Sequence, residues 1–509
     1  MSKVSKAAKR RQQARFMEQV RVMVPIRNTA PLLVQAHLGP TNSGKTYAAM
    51  QALVQNGRGV YAAPLRMLAR EAYEKLCLQL GEEEVGLKTG EETIHPDAPI
   101  ICVTTEMAPL RGDMLVLDEA HWAADPTRGW AWSRLLAGGE YNKMIVLGSG
   151  DVLPLLKSCF GGQLQLHVHE RLGELRWSGG FKLDQLRAGD AVIAYSRRSV
   201  ISAAQQIARF YDPSRIAILY GAMPLNSRIE ELNRIREGRS DLLVSTDVLG
   251  HGVNLPLRRV LFTETEKWDG ETIRPLQPWE AAQVAGRAGR YGIHQHGETG
   301  LLYELSPYEP HGAVVQAGLN PALQTNTNPP LAAFSLISRG RLRPQPDDLG
   351  DVPVRWLNKA LEVWHQKASQ ELLSHPWLQP EDIQPICQRL GIIGSQLGLE
   401  ADHLQRDEIW ALATSPVDPD NPEQADLLGR MSLAVLGRGS LDEVLGPSAC
   451  SMSLEEAEEY AQTASILRWF TGRFPGVGGI QSRRAEMVET EAAARVSRLL
   501  RSLLSPSIR

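Results

Sequence analysis

Short apolar runs alternate along much of the chain with segments in which apolar residues recur at helical spacing. Continuous apolar runs are typical of parallel strands buried on both faces, and helical spacing between them is typical of covering helices. The pattern predicts strands at residues 33–38, 60–63, 100–104, 114–117, 144–147, 191–195, 216–220, 242–245, 260–263 and 301–304. These strands are too many for one compact sheet. We therefore expect two α/β units, with a break in the loosely patterned stretch 158–190.

The pattern changes after residue 306, where strand signals nearly end and prolines interrupt a connecting region. Helical spacing dominates the remainder, for example in residues 354–373 and 454–470. Ser453 and Glu456 lie three residues apart at the start of the later segment and predict a capping box. The C-terminal part of the chain is therefore expected to be mostly helical.

The first 27 residues form a separate basic segment. Eight Lys and Arg residues stand there against one acid, Glu18. Three interpretations stay open at this point: a solvated helix, a nucleic-acid-binding arm and an Arg-rich organelle presequence.

Composition narrows the class of protein. With 509 residues, 43% hydrophobic and 22% charged, the chain is long enough for several domains and ordinary for a soluble globular protein. The formal net charge is −3, so nucleic-acid binding would have to come from a local basic surface. The five cysteines lie far apart without a CxxC pair, which argues against a zinc site and for a reducing compartment. No apolar run approaches the roughly 18–20 residues that a membrane span needs, so no membrane partner is expected.

The strongest chemical signal is GPTNSGKT, between a predicted strand and a predicted helix. In this context the pattern predicts a loop whose backbone N–H groups and helix N-terminus bind phosphates. Lys45 would reach the β- and γ-phosphates, and the Thr46 hydroxyl would ligate Mg²⁺. The predicted nucleotide-binding residues are Gly39, Pro40, Thr41, Asn42, Ser43, Gly44, Lys45 and Thr46.

A second signal is MLVLDEAH at residues 114–121, an apolar strand that ends in two adjacent acids. Asp118 is placed to hold Mg²⁺ through its water shell. Glu119 would point toward the γ-phosphate and orient and deprotonate a water molecule.

A third signal is QVAGRAGR, residues 283–290, at the predicted start of a helix. Gln283 begins this motif, and Arg287 and Arg290 share one helix face because they are three residues apart. Two guanidinium groups on one face suit a phosphate clamp or an arginine finger. We expect these residues on the second α/β unit, so that ATP lies between the two units.

The motif order GPTNSGKT, APLR, TTE, DEAH, STDVLGHGVNLP and QVAGRAGR resembles that of the DExH-type superfamily-two helicases. It is most similar to the RNA helicase of the mitochondrial RNA degradosome and its bacterial relatives. The resemblance implies an α/β fold: two RecA-like parallel-sheet domains in tandem followed by a mostly helical C-terminal region. The expected divisions are a basic arm at 1–27, a first domain at 28–160, a second domain at 161–306 and the helical region at 307–509.

The resemblance also implies residue roles. Gly252 and Asn254 fall on the part of the second domain that reaches toward the nucleotide. Small hydroxyls, backbone amides and Arg suit phosphate oxygens, which carry no base information. Each residue alone also fits an ordinary structural role: Pro64, for example, could merely end a strand. The implied nucleic-acid contacts are Pro64, Leu65, Arg66, Thr104, Thr105, Ser196, Arg197, Ser245 and Thr246.

We therefore expect an ATP- and Mg²⁺-dependent helicase that translocates on and unwinds nucleic acid, with RNA favoured over DNA and loading on a 3′ overhang. The alternative is a nucleic-acid-stimulated ATPase clamp that does not separate strands. An exoribonuclease partner is expected by resemblance alone. The mitochondrial members usually carry Asp-Glu-Ile-Gln where this chain has DEAH, so we expect a bacterial cytoplasmic protein, with the mitochondrion as the alternative.

Overall fold

The computed structural model describes residues 3–90, 92–250, 255–268, 272–276, 278–289, 294, 296–305, 337–446 and 452–504. These residues form two α/β domains followed by a mostly helical C-terminal region, which confirms the predicted fold class. After the N-terminal helix α1 (Lys3–Gln19), the first domain contains β1 (Leu33–Leu38), α2 (Lys45–Asn56), β2 (Gly59–Ala63), α3 (Arg66–Leu80), β3 (Val85–Lys88), β4 (Thr93–Ile94), β5 (Ile100–Thr104), β6 (Arg111–Leu117), α4 (Gly129–Gly138), β7 (Glu140–Gly148), α5 (Leu153–Phe160) and β8 (Leu164–Val168).

One eight-stranded sheet organises the first domain. Its strand order is β4-β3-β5-β2-β6-β7-β1-β8, and only the pairing of β3 with β4 is antiparallel. Strand β2 is buried along its whole length, as expected for a central parallel strand covered on both faces. The parallel arrangement brings the carboxyl ends of β1 and β6 to the same edge of the sheet, with β7 between them. The two strongest sequence motifs therefore lie side by side.

The second domain is also built on a parallel sheet. Its elements are β9 (Glu174–Phe181), β10 (Asp190–Ile193), α6 (Arg197–Ile207), β11 (Ile216–Leu219), α7 (Leu225–Arg236), β12 (Leu242–Ser245), β13 (Arg259–Phe262), β14 (Glu266–Trp268), β15 (Ile273–Pro275), α8 (Pro278–Ala285) and β16 (His296–Leu302). The sheet has six parallel strands in the order β11-β12-β10-β13-β16-β9. Strands β14 and β15 pair separately and antiparallel, and residues 269–271 between them lie outside the described part of the chain.

The first sheet continues beyond residue 160, where the sequence analysis places the domain boundary. Strand β8 pairs in parallel with β1, from Val34 opposite Leu164 to Leu38 opposite Val168. The crossing to the second sheet is therefore the short segment 169–173. Because β8 is a largely exposed edge strand, it lacks the continuous apolar run that makes a central strand recognisable.

Helices dominate the C-terminal region, and its predicted capping box is present. Ser453 N–H donates to the Glu456 carboxylate over 2.7 Å, and Glu456 N–H donates to Ser453 Oγ over 3.3 Å. The elements are β17 (Gly340–Leu342), α9 (Pro346–Leu349), α10 (Leu357–Glu371), β18 (Leu378–Pro380), α11 (Gln384–Leu397), α12 (Arg406–Ala413), α13 (Pro422–Val435), α14 (Leu454–Arg473) and α15 (Ser482–Leu504).

The C-terminal region packs on both α/β domains. Val496 and Leu500 of α15 lie in an apolar core of the second domain, whereas Phe470 of α14 lies in the core of the C-terminal region itself. Arg341, on β17, donates its N–H to Ser133 Oγ of α4 in the first domain over 2.8 Å. The region therefore bridges the two domains.

The basic N-terminal segment packs against the C-terminal region and the first domain rather than being freely solvated. The ring of Phe16 packs on Trp356, with centroids 5.4 Å apart, and Arg21 N–H donates to the Asp348 carbonyl over 2.8 Å. Arg27 then caps the end of α4 in the first domain through the carbonyl of Ala137, 3.1 Å from its Nε. Among the described residues, no helix is long and apolar enough to span a membrane.

Candidate nucleotide site and nucleic-acid interface

The residues after β1 form a tight loop that closes on itself before α2. Asn42 and Gly44 have φ angles of 59° and 77°, and α2 begins at Lys45. Lys45 is buried and its ammonium donates to the carbonyl of Pro40, 2.9 Å away. The hydroxyl of Ser43 is buried without a hydrogen-bond partner. A buried ammonium, an unpaired hydroxyl and the N–H groups of a helix N-terminus together suit the oxygens of a phosphate chain.

Asp118 and Glu119 lie at the carboxyl end of β6, beside this loop. Tyr61 OH donates to Asp118 Oδ2 over 2.5 Å, and Trp132 Nε1 donates to the Asp118 carbonyl over 2.9 Å. Glu119 has a φ of 49°, a left-handed conformation that is uncommon outside glycine and clusters at functional sites. Burial, together with the charge of Glu119, raises the pKa of Asp118 to about 6. Asp118 and the Thr46 hydroxyl are oxygen donors of the kind that Mg²⁺ prefers, so the site fits that ion.

Arg287 reaches the same place from the second domain. It lies just after α8, and its Nη2 donates to the carbonyl of Gly250. Burial lowers the pKa of Arg287, while the carboxylates of Glu119, Glu71 and Asp118 act in the opposite direction. A cavity of about 440 Å³ separates these groups and is large enough for a nucleotide. We call it the nucleotide cleft; its lining includes Thr41, Asn42, Ser43, Gly44, Lys45, Thr46, Asp118, Glu119, Gly286 and Arg287.

Among the described residues, three other members of the predicted nucleotide site, Gly39, Pro40 and Gln283, do not line this cleft. Pro40 nevertheless accepts the hydrogen bond from the ammonium of Lys45. Gln283 packs beside the backbone of Gly250, one turn before Arg287. Arg290, Gly252 and Asn254 lie outside the described residues.

Polar contacts tie the two sides of the cleft together. Asn42 Nδ2 donates to the carbonyl of Gly289 over 2.7 Å. At another edge, Glu71 of α3 and Arg236 of α7 form an ion pair at 3.5 Å. Contacts between the two α/β domains therefore hold the two walls of the cleft together.

A second cavity, of about 940 Å³, lies where the first domain, the second domain and the C-terminal region meet; we call it the central cavity. The ring of Trp130 in its wall is covered by the guanidinium of Arg343 at 4.5 Å, a contact between the first domain and the C-terminal region. The lining includes Pro64, Leu65, Arg66, Thr104, Arg128, Trp130, Met223, Arg228, Arg343, Arg389, Trp410, Thr414, Ser415, Trp469 and Arg473.

The expected nucleic-acid contacts divide by domain. Those of the first domain, Pro64, Leu65, Arg66 and Thr104, line the central cavity. The buried hydroxyl of Thr105 instead donates to the carbonyl of Ala63 over 3.0 Å.

The expected contacts of the second domain are engaged within the protein. Ser196 caps α6 by accepting from Ser199 N–H over 2.9 Å, and Arg197 Nε forms an ion pair with Glu458 of α14 at 2.9 Å. Ser245 Oγ donates to the carbonyl of Thr246 over 2.8 Å. None of these described residues lines the central cavity.

Most of the basic and polar groups in the central cavity were not predicted from the sequence. Arg228 is the clearest example: its Nε is buried without a hydrogen-bond partner, and the charge of nearby Arg66, after burial itself, lowers its pKa. The hydroxyl of Ser415 is likewise buried and unpaired. These residues come from distant segments, and no local motif marks them.

Two parts of the chain match described families. Residues 27–168 match the DEXQ-box helicase domain of Suv3, and residues 180–292 match the helicase conserved C-terminal domain.

Curated relatives of this chain are mitochondrial helicases of eukaryotes. The ATP-dependent RNA helicase SUV3, mitochondrial, of Saccharomyces paradoxus is 37% identical over 269 residues, 50% of this chain and 36% of the relative. The DExH-box ATP-dependent RNA helicase DExH18, mitochondrial, of Arabidopsis thaliana is 36% identical, over 50% of this chain and 34% of the relative. The ATP-dependent RNA helicase SUPV3L1, mitochondrial, of Gallus gallus is 33% identical, over 50% and 34%. The matched part is thus about a third of the length of these relatives.

These matches correct one expectation and confirm another. The expectation of a bacterial cytoplasmic protein, drawn from the DEAH motif, is wrong, because the relatives that the chain matches are mitochondrial helicases of eukaryotes. Both helicase matches fall on the predicted α/β units, and the resemblance to the helicase of the mitochondrial RNA degradosome is confirmed. The chain carries a Suv3-type DEXQ-box helicase domain followed by a helicase conserved C-terminal domain.

Proposed function

We propose that this chain is an ATP-dependent helicase that translocates on and unwinds nucleic acid, with RNA as the favoured substrate. The observation that carries the proposal is that the same two α/β domains form both the nucleotide cleft and the central cavity. A change in their separation during ATP turnover would alter both at once. The names of the relatives, which are ATP-dependent RNA helicases, support the choice of RNA.

In the nucleotide cleft, the loop backbone and Lys45 bind the phosphates of ATP. Glu119 orients the attacking water and accepts its proton, and His121 Nδ1 lies 3.4 Å from Glu119 Oε2. Arg287 stabilises the negative charge that develops on the transferred phosphoryl group. Thr46 and Asp118 would hold Mg²⁺, whose contribution is to neutralise phosphate charge.

In the central cavity, arginines from all three parts of the protein contact the phosphates of a single strand. Arg66 belongs to the first domain, Arg228 to the second and Arg389 to the C-terminal region. Trp410 and Trp469 offer aromatic faces on which unpaired bases stack. A cavity bounded on three sides keeps its strand through successive ATP cycles, which processive movement requires.

Two finer features belong to the proposal by resemblance. We infer loading on a 3′ overhang, and an exoribonuclease as the partner that degrades the unwound RNA.

The test is an unwinding assay with RNA, DNA and hybrid duplexes that carry a 3′ or a 5′ overhang. We expect ATP-dependent strand separation with RNA and a 3′ overhang. Glu119→Gln should still bind ATP but lower turnover by about 10²-fold or more, because the water loses its base. Glu83→Gln, an exposed acid of the first domain, is the matched control.

Three outcomes contradict the proposal at different points. If RNA stimulates ATP hydrolysis but no strands separate, the protein is an ATPase clamp and not a helicase. If neither RNA nor DNA changes the rate of ATP hydrolysis, the protein is not a helicase at all. If Glu119→Gln hydrolyses ATP at the normal rate, Glu119 is not the general base.

A further inference from the structure

We propose that Arg171 is a positioning residue for Arg287. From the crossing between the two α/β domains, it holds the backbone on both sides of Arg287 against the phosphate-binding loop. The inference rests on the proposed function, since its readout is ATP hydrolysis.

The crossing segment is itself fastened to the phosphate-binding loop. His169 N–H donates to the carbonyl of Leu38 over 2.8 Å, and Leu172 N–H donates to the carbonyl of Asn42 over 2.9 Å. Arg171 lies between these two anchored residues. Its side chain therefore starts from backbone that belongs structurally to the first domain.

The guanidinium of Arg171 then bonds to both domains. Nη1 donates to the carbonyl of Thr41 over 3.2 Å and to that of Gly286 over 2.7 Å, and Nη2 donates to the carbonyl of Ala288. Gly286 and Ala288 are the immediate neighbours of Arg287 in the chain. The Arg171 side chain thus joins the phosphate-binding loop to the backbone on both sides of Arg287, in addition to the hydrogen bond from Asn42 to Gly289.

The electrostatics of this position argue against an incidental contact. Burial, together with the charge of Arg287, lowers the pKa of Arg171 to about 10. Among the described residues, no carboxylate forms an ion pair with Arg171, and its Nε has no partner. A cation held beside another cation needs compensation, and three carbonyl oxygens supply it here. The rigid, planar fork of Arg can reach several acceptors at once, whereas the point charge of Lys cannot hold the same geometry.

Loss of Arg171 should therefore displace Arg287 without removing it. Arg287 keeps its bond to the Gly250 carbonyl, and Asn42 still bonds to Gly289, but the backbone on both sides of Arg287 loses its hydrogen bonds to Arg171. A misplacement of about 1 Å at a reacting centre costs about 10²-fold in rate.

The experiment measures RNA-stimulated ATP hydrolysis by the full chain and by Arg171→Ala, Arg171→Lys, Arg287→Ala and the double variant Arg171→Ala/Arg287→Ala. We expect Arg171→Ala to lower kcat by about 10²-fold with little change in KM for ATP. Arg171→Lys keeps the charge and the apolar stem, so it should fold and yet recover only part of the rate. Arg176→Ala is the matched control, because Arg176 is an exposed arginine on β9 that forms an ion pair with Glu174.

The double variant separates positioning from a merely structural role. If Arg171 acts through Arg287, then adding Arg171→Ala to Arg287→Ala should change kcat no further. Equal losses in both backgrounds, or an Arg171→Lys rate equal to that of Arg176→Ala, would overturn the inference. Absence of ATPase activity in the unmodified chain would instead overturn the proposed function.

Discussion

At the scale of single residues, local sequence motifs were sufficient to predict one wall of the nucleotide cleft. Lys45 follows β1, whereas Asp118 and Glu119 follow the buried end of β6, and parallel strands bring their carboxyl ends to one edge of a sheet. Arg171 could not be predicted in this way. Its contacts at Thr41 and Gly286 join segments more than a hundred residues apart, and no spacing within one motif encodes such a contact.

Gly39, at the start of the phosphate-binding loop, gives a prediction at this scale. A Cβ atom on Gly39 would lie 2.4 Å from the carbonyl oxygen of His169, closer than backbone atoms tolerate. Gly39→Ala should therefore shift the crossing segment, destabilise the protein by about 1–3 kcal/mol and weaken nucleotide binding. Denaturant unfolding and titration with a non-hydrolysable ATP analogue measure the two effects. Gly162→Ala, where a Cβ meets nothing within 4 Å, is the control, and equal behaviour of the two variants would contradict the argument.

At the scale of helices and strands, the apolar pattern predicted the central strands and missed several at the edges. Strand β10 is buried at every position, and its residues 191–193 form a continuous apolar run. Strand β9 is an edge strand whose side chains alternate between half-buried and exposed positions, which breaks that run. The pattern also predicted α14 but not where it packs, because a helix face carries no information about which domain covers it.

The contact between α14 and the second domain supports a prediction at this scale. Glu458 is buried and accepts a hydrogen bond from Tyr220 OH, and Arg197 pairs with it at 2.9 Å. Glu458→Ala should leave both partners without their acceptor and destabilise the protein by about 2 kcal/mol. The denaturant midpoint measures the loss. Glu455→Gln, an exposed acid on the same helix, should leave the midpoint unchanged, and an unchanged midpoint in Glu458→Ala would show that this network does not hold α14 in place.

At the scale of the whole molecule, the C-terminal region is part of both domains' packing rather than an attachment to them. Leu500 and Leu504 of α15 complete an apolar core of the second domain, and Arg341 bonds to the first. Removing the region would therefore expose apolar surface on the second domain. Single substitutions in the central cavity are consequently the better test of strand binding, and Arg228 is the most informative position.

Arg228 is expected to destabilise the free protein and is proposed to contact a phosphate when a single strand is bound. Its buried Nε has no partner, and Arg66 nearby carries the same charge, so Arg228→Ala should raise the denaturant midpoint of the free protein. The same change should weaken single-strand binding about tenfold, because one charged contact to a phosphate is lost. The slope of log affinity against log salt should fall by about 0.7. Arg209→Ala, an exposed residue of the same domain, should alter neither quantity. A lower midpoint together with an unchanged salt slope would assign Arg228 to the packing of the second domain and remove it from the strand-binding surface.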